Sequence, residues 1–391
     1  MNKINFFKKI IALFLTFSMT LILTGCADWK YKAMDIIGVD LYREEKIKDI
    51  IPYYDDIYVI TEDGKGYVAG DNNIRGKYSR SLSFESARLG THAPVRFYDR
   101  EVKAIFPYGS YKALFINGND ELFDVSEFKV TKICDNISYA KKTSLYSNIY
   151  GDRTKILFVI DTQNNLYKVE EYGALTFLHS DILNVNTYLL STFVLDTNGD
   201  LSELDITSGT LSEPLFRNVK SFDMRWTAMR YEESGRLNWT IPEAQELPLI
   251  NVLTNDGELY VKGAYNLLCC TRPLTAKPEP HIINEWTLIS DNVESFALAA
   301  MGTIFKLNDN TCAYYGFNSY LSASEDCTYE CKYVDLEIND AISLYATDLQ
   351  IAVRTSTEYY VLGSCYTYYD LRPNKHNHHI FDKNPIIIHL K

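Results

Sequence analysis

The residues best suited to a defined chemical reaction lie near the start of the chain, in the run Leu23-Thr24-Gly25-Cys26. A short segment with three lysines and an apolar stretch from Ile10 to Leu23 come before this run, in the order of a secretory signal peptide. The Cys26 thiol can accept a diacylglycerol group, and the small residues before it fit a peptidase that cleaves between Gly25 and Cys26. The pattern therefore predicts a lipoprotein signal peptide over residues 1–25. The alternatives are an ordinary signal peptide or a transmembrane helix with a chance cysteine.

Acylation of Cys26 would anchor the chain to a cell membrane through buried methylene groups and leave its bulk in water. Such sequences belong to bacterial lipoproteins, so we expect the protein on the extracytoplasmic side of the membrane. Removing residues 1–25, which hold three lysines and no acids, shifts the formal net charge from −12 to −15. An acidic body repels phosphates, so nucleic acid is not an expected partner, although the same charge also keeps a protein dispersed.

A second group of residues is suited to binding rather than to reaction. The segment 225–242 departs most from the spacing of the rest of the chain and contains two of the four tryptophans. Exposed tryptophan, tyrosine and arginine bury much area at modest entropic cost when they bind a partner. We therefore take Trp226, Arg230, Tyr231 and Trp239 as a candidate binding loop. The alternative is a flap that folds back over a sheet edge or a central channel.

Neither the cysteines nor the histidines form a recognisable metal site. Seven cysteines remain besides Cys26; Cys327 and Cys331 are spaced to close a small disulfide ring, with free, half-buried thiols as the alternative. The histidine cluster at 376–379 offers too few ligands for a stable metal site. We expect no metal and no cofactor.

No catalytic residue can be assigned from the sequence. A nucleophile elbow, a phosphate-binding glycine loop and a His-Glu-x-x-His zinc motif are absent from it. A glycosidase needs two carboxylates at a set separation, and the acids show no distinctive pair. Enzymatic activity is therefore not the favoured interpretation. The alternative is a polysaccharide-acting enzyme whose acids meet at the centre of the fold.

These residues must be positioned by elements that repeat along the chain. Seven times an apolar strand, a tight polar turn and a second strand follow one another, most clearly in segments 59–70 and 252–263. The turns fall at positions 64, 120, 164, 199, 257, 310 and 357, with spacings of 56, 44, 35, 58, 53 and 47 residues. Asp-Gly and Asn-Gly supply the positive φ angles of a two-residue hairpin, and the mean spacing suits one propeller blade, about 40–50 residues.

Further strands complete each unit. Apolar segments begin ahead of the hairpins at Val102, Val219, Val293 and Ala341, and a fainter one at 94–97, ahead of Val102, recurs at 385–388. The sequence thus predicts an all-β fold, a seven-bladed β-propeller of four-stranded antiparallel blades, rather than a two-sheet sandwich or a β-solenoid. Either residues 36–42 or residues 386–390 could supply the strand that joins the ends of the ring.

The segment 61–72, Thr-Glu-Asp-Gly-Lys-Gly-Tyr-Val-Ala-Gly-Asp-Asn, followed by Arg75-Gly76, resembles the repeat of the regulator-of-chromosome-condensation family. The resemblance spans residues 47–390 and is good in the first, fifth and sixth repeats. Ala69, Lys262 and Tyr315 stand where that family usually has tryptophan, and most of its glycine-rich loops are absent, so the chain resembles a divergent member. The resemblance implies a seven-bladed propeller. It does not imply nucleotide-exchange activity, because no partner-contact residues can be matched.

In such a propeller, alternate connections leave from the same face of the ring. The short hairpin turns therefore share one face. The long connections share the other face, which is the expected binding face: 71–91, 225–249, 264–283, 317–334 and 364–384.

We expect a signal peptide over 1–25, a lipid-anchored tether and possible closing strand over 26–46, and the propeller over 47–391. The expected function is that of a surface lipoprotein whose non-catalytic propeller binds a protein or an envelope component.

Overall fold

The described part of the chain is built from β-strands. The structure is a computed structural model of the 391-residue chain. It describes residues 47–53, 56–69, 95–98, 100–109, 112–126, 129–146, 153–170, 173–188, 191–225, 230–231, 237–238, 248–265, 281–299, 302–317, 331–347, 350–356, 358–363 and 386–389. These ranges contain 29 strands and no α-helix, so no helix in them could cross a bilayer. The predicted all-β fold is confirmed.

Most of the strands form seven antiparallel sheets, or blades, that follow one another along the chain and whose strands pair in chain order. Blade 1 contains β1 (Ile47–Tyr53), β2 (Asp56–Thr61), β3 (Gly66–Ala69) and β4 (Val95–Tyr98). Blade 2 contains β5 (Val102–Gly109), β6 (Lys112–Asn117), β7 (Leu122–Ser126) and β8 (Lys129–Cys134). Blade 3 contains β9 (Ile137–Tyr146), β10 (Arg153–Asp161), β11 (Leu166–Val169) and β12 (Leu175–His179).

Blade 4 has three strands, β13 (Ile182–Tyr188), β14 (Ser191–Asp196) and β15 (Leu201–Leu204), and isolated bridges to Leu211 and Phe216 take the place of a fourth. Blade 5 contains β16 (Val219–Arg225), β19 (Leu249–Thr254), β20 (Leu259–Tyr265) and β21 (His281–Ser290), with the separate hairpin β17 (Arg230–Tyr231) and β18 (Leu237–Asn238) inserted after β16. Blade 6 contains β22 (Val293–Ala299), β23 (Gly302–Leu307), β24 (Cys312–Phe317) and β25 (Cys331–Asp335). Blade 7 contains β26 (Ala341–Ala346), β27 (Gln350–Thr355), β28 (Glu358–Gly363) and β29 (Ile386–His389).

The seven blades form a closed ring around a central axis. The first strand of each blade contacts the first strands of the blades before and after it, and β26 of blade 7 contacts β1 of blade 1. Buried apolar side chains fill the space between neighbouring sheets; for example, Phe158 of blade 3 packs with Val185 and Val194 of blade 4. Neighbouring blades thus bury each other's faces, and the predicted seven-bladed β-propeller is confirmed.

The turns between second and third strands hold neighbouring blades together. The carbonyl of one residue in each of six turns accepts a hydrogen bond of 2.6–3.1 Å from the first N–H of the next blade. These residues have φ angles of 60–83°, which glycine adopts freely and which Asn and Asp tolerate better than most other residues. They are the predicted turn positions Gly64, Asp120, Asn164, Gly199, Gly257 and Asn310. The seventh predicted position, Thr357, lies outside the described residues.

The start of each blade also follows a local pattern. All seven first strands carry a β-bulge directly after their first residue, so that two residues there oppose one on the second strand. In blades 3 to 7 the residue just before the first strand is an Asn or Asp with a φ angle of 57–61°: Asn136, Asp181, Asn218, Asn292 and Asp340. These features mark the boundary between consecutive blades.

The blade boundaries differ from the prediction by one strand. The segment 94–97 was expected to belong to the same unit as Val102, but β4 pairs with β3 and completes blade 1. The N–H of Val102 bonds to the carbonyl of Gly64, which makes β5 the first strand of the next sheet.

Every blade is formed by one continuous stretch of chain. At the end of the chain, β29 pairs with β28 as the fourth strand of blade 7, and residues 36–42 lie outside the described residues. Blade 7 meets blade 1 without exchanging a strand with it among the described residues. A hydrogen bond from Arg354 Nη1 to the Lys48 carbonyl crosses this junction.

Candidate binding face around the central channel

The strand order places the long connections at one face of the ring. In blade 1, Ile47 pairs with Thr61 beside the hairpin turn and Tyr53 pairs with Asp56, so a first strand runs from the turns to the opposite face. Connections from first to second strands and from third to fourth strands leave from that opposite face, which we call the long-loop face; the other is the hairpin face. Five long connections leave from it, at 70–94, 226–248, 266–280, 318–330 and 364–385. The strands on either side of each long connection end at this face, which confirms the predicted grouping of the long connections.

These connections also belong to one part of the ring. They leave blades 5, 6, 7 and 1, which are consecutive around the axis because blade 7 contacts blade 1. In blades 2, 3 and 4 the equivalent connections are short, as at 127–128 and 205–210. The long-loop face therefore has one arc with long connections and one arc with short connections.

The candidate binding loop starts where the first strand of blade 5 reaches the long-loop face. Its backbone includes the hairpin of β17 and β18, in which Arg230 pairs with Asn238 and Tyr231 with Leu237. Trp226, Trp239 and the side chains of Arg230 and Tyr231 lie outside the described residues. Their part in binding stays a prediction.

A charged network joins four blades directly beside this loop. Arg225, the last residue of β16, donates from Nε to the Leu298 carbonyl of blade 6 at 2.8 Å and from Nη2 to the Ala346 carbonyl of blade 7 at 3.2 Å. The same Nη2 lies 3.3 Å from Asp223 Oδ2. Asn186 of blade 4 donates to Asp223 Oδ1 at 2.9 Å. The network therefore ties blades 4 to 7 together near the axis, towards the long-loop ends of their first strands.

Tyr139, on the first strand of blade 3, lies within electrostatic reach of this network. Burial raises the pKa of its hydroxyl, and the negative charge of Asp223 raises it further, against an opposing effect of Arg225. The Tyr139 ring also meets the Phe106 ring edge-on, with centroids 5.3 Å apart. Tyr139 therefore stays neutral in the ordinary pH range, and its ring contact extends this region towards blade 2.

A second charged cluster joins blades 2 and 3. Tyr108 donates to the Asp124 carboxylate, 2.9 Å from each oxygen, and Lys142 Nζ lies 3.0 Å from Asp124 Oδ2. The Lys142 ammonium also lies 4.0 Å from the centroid of the Tyr108 ring. Burial and the bond to Asp124 raise the pKa of Tyr108. Aromatic, cationic and anionic groups are thus held at fixed positions between blades 2 and 3.

Among the described residues, these two clusters do not contain the neighbouring acids of a glycosidase. A polysaccharide-acting enzyme would need two or three acids within reach of each other at the channel mouth. Asp124 and Asp223 are instead each paired with a cation of their own. Over the described ranges, no three His, Cys, Asp or Glu side chains come together as a metal site.

The described cysteines carry free thiols. Cys134 and Cys331 are partly buried and Cys312 is fully buried. Burial raises the pKa of Cys134 to about 11, and that of Cys312 and Cys331 to about 12. The free Cys331 agrees with the free-thiol alternative rather than with a bridge to Cys327, which lies outside the described residues. Gly25, Cys26 and the histidine cluster at 376–379 also lie outside them.

Sequence reasoning missed both charged clusters. Their members come from different blades, and Arg225 bonds to residues 73 and 121 positions away in the chain. One local signal was available in Asp223-Met224-Arg225, where two residues of opposite charge stand at alternate positions at the end of the first strand. In a strand, such residues lie on the same side.

No protein-family model and no curated protein matches the chain. Solved structures similar to it include Prp20p from Saccharomyces cerevisiae, at 12% identity and a TM-score of 0.44, covering 88% of this chain and 77% of that one. The match to human WBSCR16 covers 80% of this chain and 88% of the WBSCR16 chain at 12% identity, with a TM-score of 0.49. BamB from Moraxella catarrhalis covers 81% and 84% at 12% identity, with a TM-score of 0.39.

Prp20 is the yeast RCC1 protein, and a solved structure of it bound to Kap60 is also among the similar structures. Similarities of this size carry no argument about activity. The assignment of the seven-bladed propeller depends on the sheet order and on the closed ring of first strands in this chain.

Proposed function

We propose that the protein is an extracytoplasmic lipoprotein, anchored through acylated Cys26, whose propeller binds another protein or an envelope component at the long-loop face. The observation that carries the binding proposal is the grouping of all five long connections at one face, in four consecutive blades. Long surface connections on a rigid scaffold are where binding residues concentrate.

Two features support this choice of face. The candidate loop with Trp226, Arg230, Tyr231 and Trp239 follows directly after Arg225, whose side chain is fixed to the carbonyls of blades 6 and 7. The base of the loop is therefore held rigidly, which lowers the entropy that binding has to overcome. The charged clusters of Asp223 and Asp124 supply fixed polar groups between the blades that carry them.

Capture of a partner tests the binding proposal. The chain from residue 27, made without the signal peptide, is used to capture partners from an extract of the cell envelope. The double variant Trp226→Ala with Trp239→Ala is expected to lose the captured partner. The matched control, Trp29→Ala, removes a tryptophan that precedes the described blades in the chain, and it is expected to retain the captured partner. An unchanged set of partners for the double variant would remove the role assigned to the loop.

Mass spectrometry of the mature N-terminus tests the anchor. We expect the processed chain to begin at Cys26 and to carry fatty acyl chains, and Cys26→Ala to prevent both acylation and cleavage. An unmodified Cys26 in protein recovered from membranes would refute the anchor while leaving the binding proposal open to the capture experiment.

A further inference from the structure

The described chain enters the propeller at the hairpin face. Ile47, the first residue of β1, pairs with Thr61, which lies directly before the hairpin turn of blade 1. The last described residue, His389, pairs with Glu358 at the hairpin end of β28, so it lies at the same face. The long connections leave from the opposite face.

The point of entry also lies beside the axis of the ring. The strand β1 is the first strand of blade 1, and it contacts the first strands of blades 2 and 7. Three further strands of blade 1 lie between it and the rim, a distance of ~15 Å at the usual strand spacing. The chain therefore joins the disc near the middle of one face and not at its edge.

We infer that the hairpin face is the membrane side of the anchored protein and that the long-loop face is turned towards partners that approach from the aqueous side. The inference rests on the proposed anchor at Cys26. It deepens the proposed function by naming which partners can reach the binding face: macromolecules outside the anchoring membrane, and not its lipids.

The length of the tether supports this orientation. The twenty residues 27–46 separate Cys26 from Ile47, and they can span at most ~70 Å. To turn the long-loop face to the membrane, the tether would have to pass the rim and then the height of a seven-residue strand, a path of ~40 Å in total. More than half of the greatest reach would be used, and a stretched chain loses conformational entropy.

Charge acts in the opposite sense but over a shorter distance. Many acids are exposed on the hairpin face, among them Glu62, Asp135, Asp181, Asp256, Asp291 and Asp309. An anionic membrane repels them, but exposed charges are screened over ~8 Å at physiological salt and over ~30 Å at 0.01 M. Repulsion should therefore move the disc away from the lipid at low salt without turning it over.

Two proteins, each labelled at a different position of the same blade, measure the orientation of the disc on the membrane. Thr197 is exposed in the hairpin turn of blade 4, and Thr207 is exposed in the turn on the long-loop face of that blade. Each is replaced by an azide-bearing residue and coupled to a donor dye in the full mature chain, and energy transfer to acceptor-labelled lipid is measured on vesicles. We expect transfer about twofold higher from position 197, because a seven-residue strand separates the faces by ~23 Å.

The result that would overturn the inference is equal transfer from the two positions, or higher transfer from position 207. Equal melting temperatures of the two labelled proteins check that both are folded. On vesicles with anionic phosphatidylglycerol, lowering the salt to about 0.01 M is expected to reduce transfer from position 197, with no such change on neutral vesicles.

Two ways of attachment separate this inference from the proposed anchor. In the first, the protein carries the lipid added by the producing cell. In the second, a histidine tag before residue 27 holds the chain on a nickel-chelating lipid. If cells add no lipid, the proposed anchor fails and the tagged protein still reports the orientation. If the tagged protein shows the reverse order of transfer, the inference fails whatever the cell adds.

Discussion

Replacing one buried hydroxyl between blades 5 and 6 should lower the stability of the whole ring. Thr303 of blade 6 accepts a hydrogen bond from Asn251 Nδ2 at 2.6 Å, and its hydroxyl lies 2.8 Å from the Tyr265 hydroxyl. All three residues are fully buried. The substitution Thr303→Val keeps the shape of the side chain and removes the shared partner of two buried polar groups.

The expected loss follows from the cost of an unsatisfied buried group, about 1–3 kcal/mol each. Asn251 lies within hydrogen-bonding reach of Tyr265, so the tyrosine can keep one partner. We therefore expect Thr303→Val to lower the free energy of unfolding by about 2–4 kcal/mol, below the full sum for two orphaned groups.

The chain offers a control at the equivalent position of another blade. Thr192 and Thr303 are each the second residue of the second strand of their blade. Thr192 lies four residues before Asp196, whose carbonyl accepts the N–H of the turn residue Gly199. Thr303 lies four residues before Leu307, whose carbonyl accepts the N–H of the turn residue Asn310. Thr192 is also buried, but its hydroxyl has no hydrogen-bond partner in the described part of the chain. Thr192→Val is therefore expected to leave stability unchanged or to raise it by up to about 1 kcal/mol.

Urea and thermal unfolding, followed by both near-ultraviolet and far-ultraviolet circular dichroism, measure the two variants beside the original chain. Thr303→Val should unfold at clearly lower urea concentration and temperature than Thr192→Val. If the two variants differ by less than about 0.5 kcal/mol, within the usual range of a neutral surface change, the triad does not stabilise the junction of blades 5 and 6.

Three further perturbations test separate parts of the structure. Gly263 has a φ angle of 114°, and a β-carbon there would overlap the Pro248 carbonyl. Gly263→Ala should therefore lower the free energy of unfolding by at least about 3 kcal/mol and reduce the yield of folded protein. A normal melting temperature would contradict this. Arg225→Met should destabilise the ring by about 2 kcal/mol, because it removes the bonds to Leu298 and Ala346 and leaves Asp223 without its cation. Arg225→Lys should recover only part of this loss of stability. Thermal melts of the original chain and the two variants measure the difference. Burial raises the pKa of the Cys312 thiol to about 12, so the rate of its alkylation in native protein should still rise with pH beyond 10. In denatured protein the alkylation rate should approach its maximum near the ordinary pKa of a thiol. Peptide mapping by mass spectrometry measures both rates, and coinciding pH profiles would contradict the burial of this thiol.

The local part of this fold could be predicted from the sequence because it depends on local chemistry. The six described turn positions were predicted at single-residue accuracy, since a Gly, Asn or Asp at a positive φ angle is required wherever a tight hairpin fits the strand twist. The blade boundary was not found, although an Asn or Asp directly before an apolar residue, as in Asn218-Val219 and Asn292-Val293, marks it. That signal becomes meaningful only once the residue is known to lie between two sheets.

The charged clusters could not be predicted, because they depend on the register of strands from different blades. Asn186 and Asp223 meet because each is the fifth residue of its first strand and because the strands run side by side around the axis. Nothing within a single repeat specifies this meeting. The missing fourth strand of blade 4 has the same kind of cause, since the segment that replaces it is held by bridges at Leu211 and Phe216 and not by a strand-like sequence.

The hydrogen bonds at the hairpin face explain why long connections occur only at the other face. A turn residue such as Gly199 or Gly257 bonds to the first N–H of the next blade, so inserting residues into these turns would separate neighbouring blades. At the long-loop face the described backbone bonds stay within one blade, as between Glu170 and Ala174 or Asp205 and Thr210. Connections there can lengthen without loss of the ring, and variable surface segments can acquire binding residues. The same bonds that close the propeller therefore determine which of its faces is free to bind a partner.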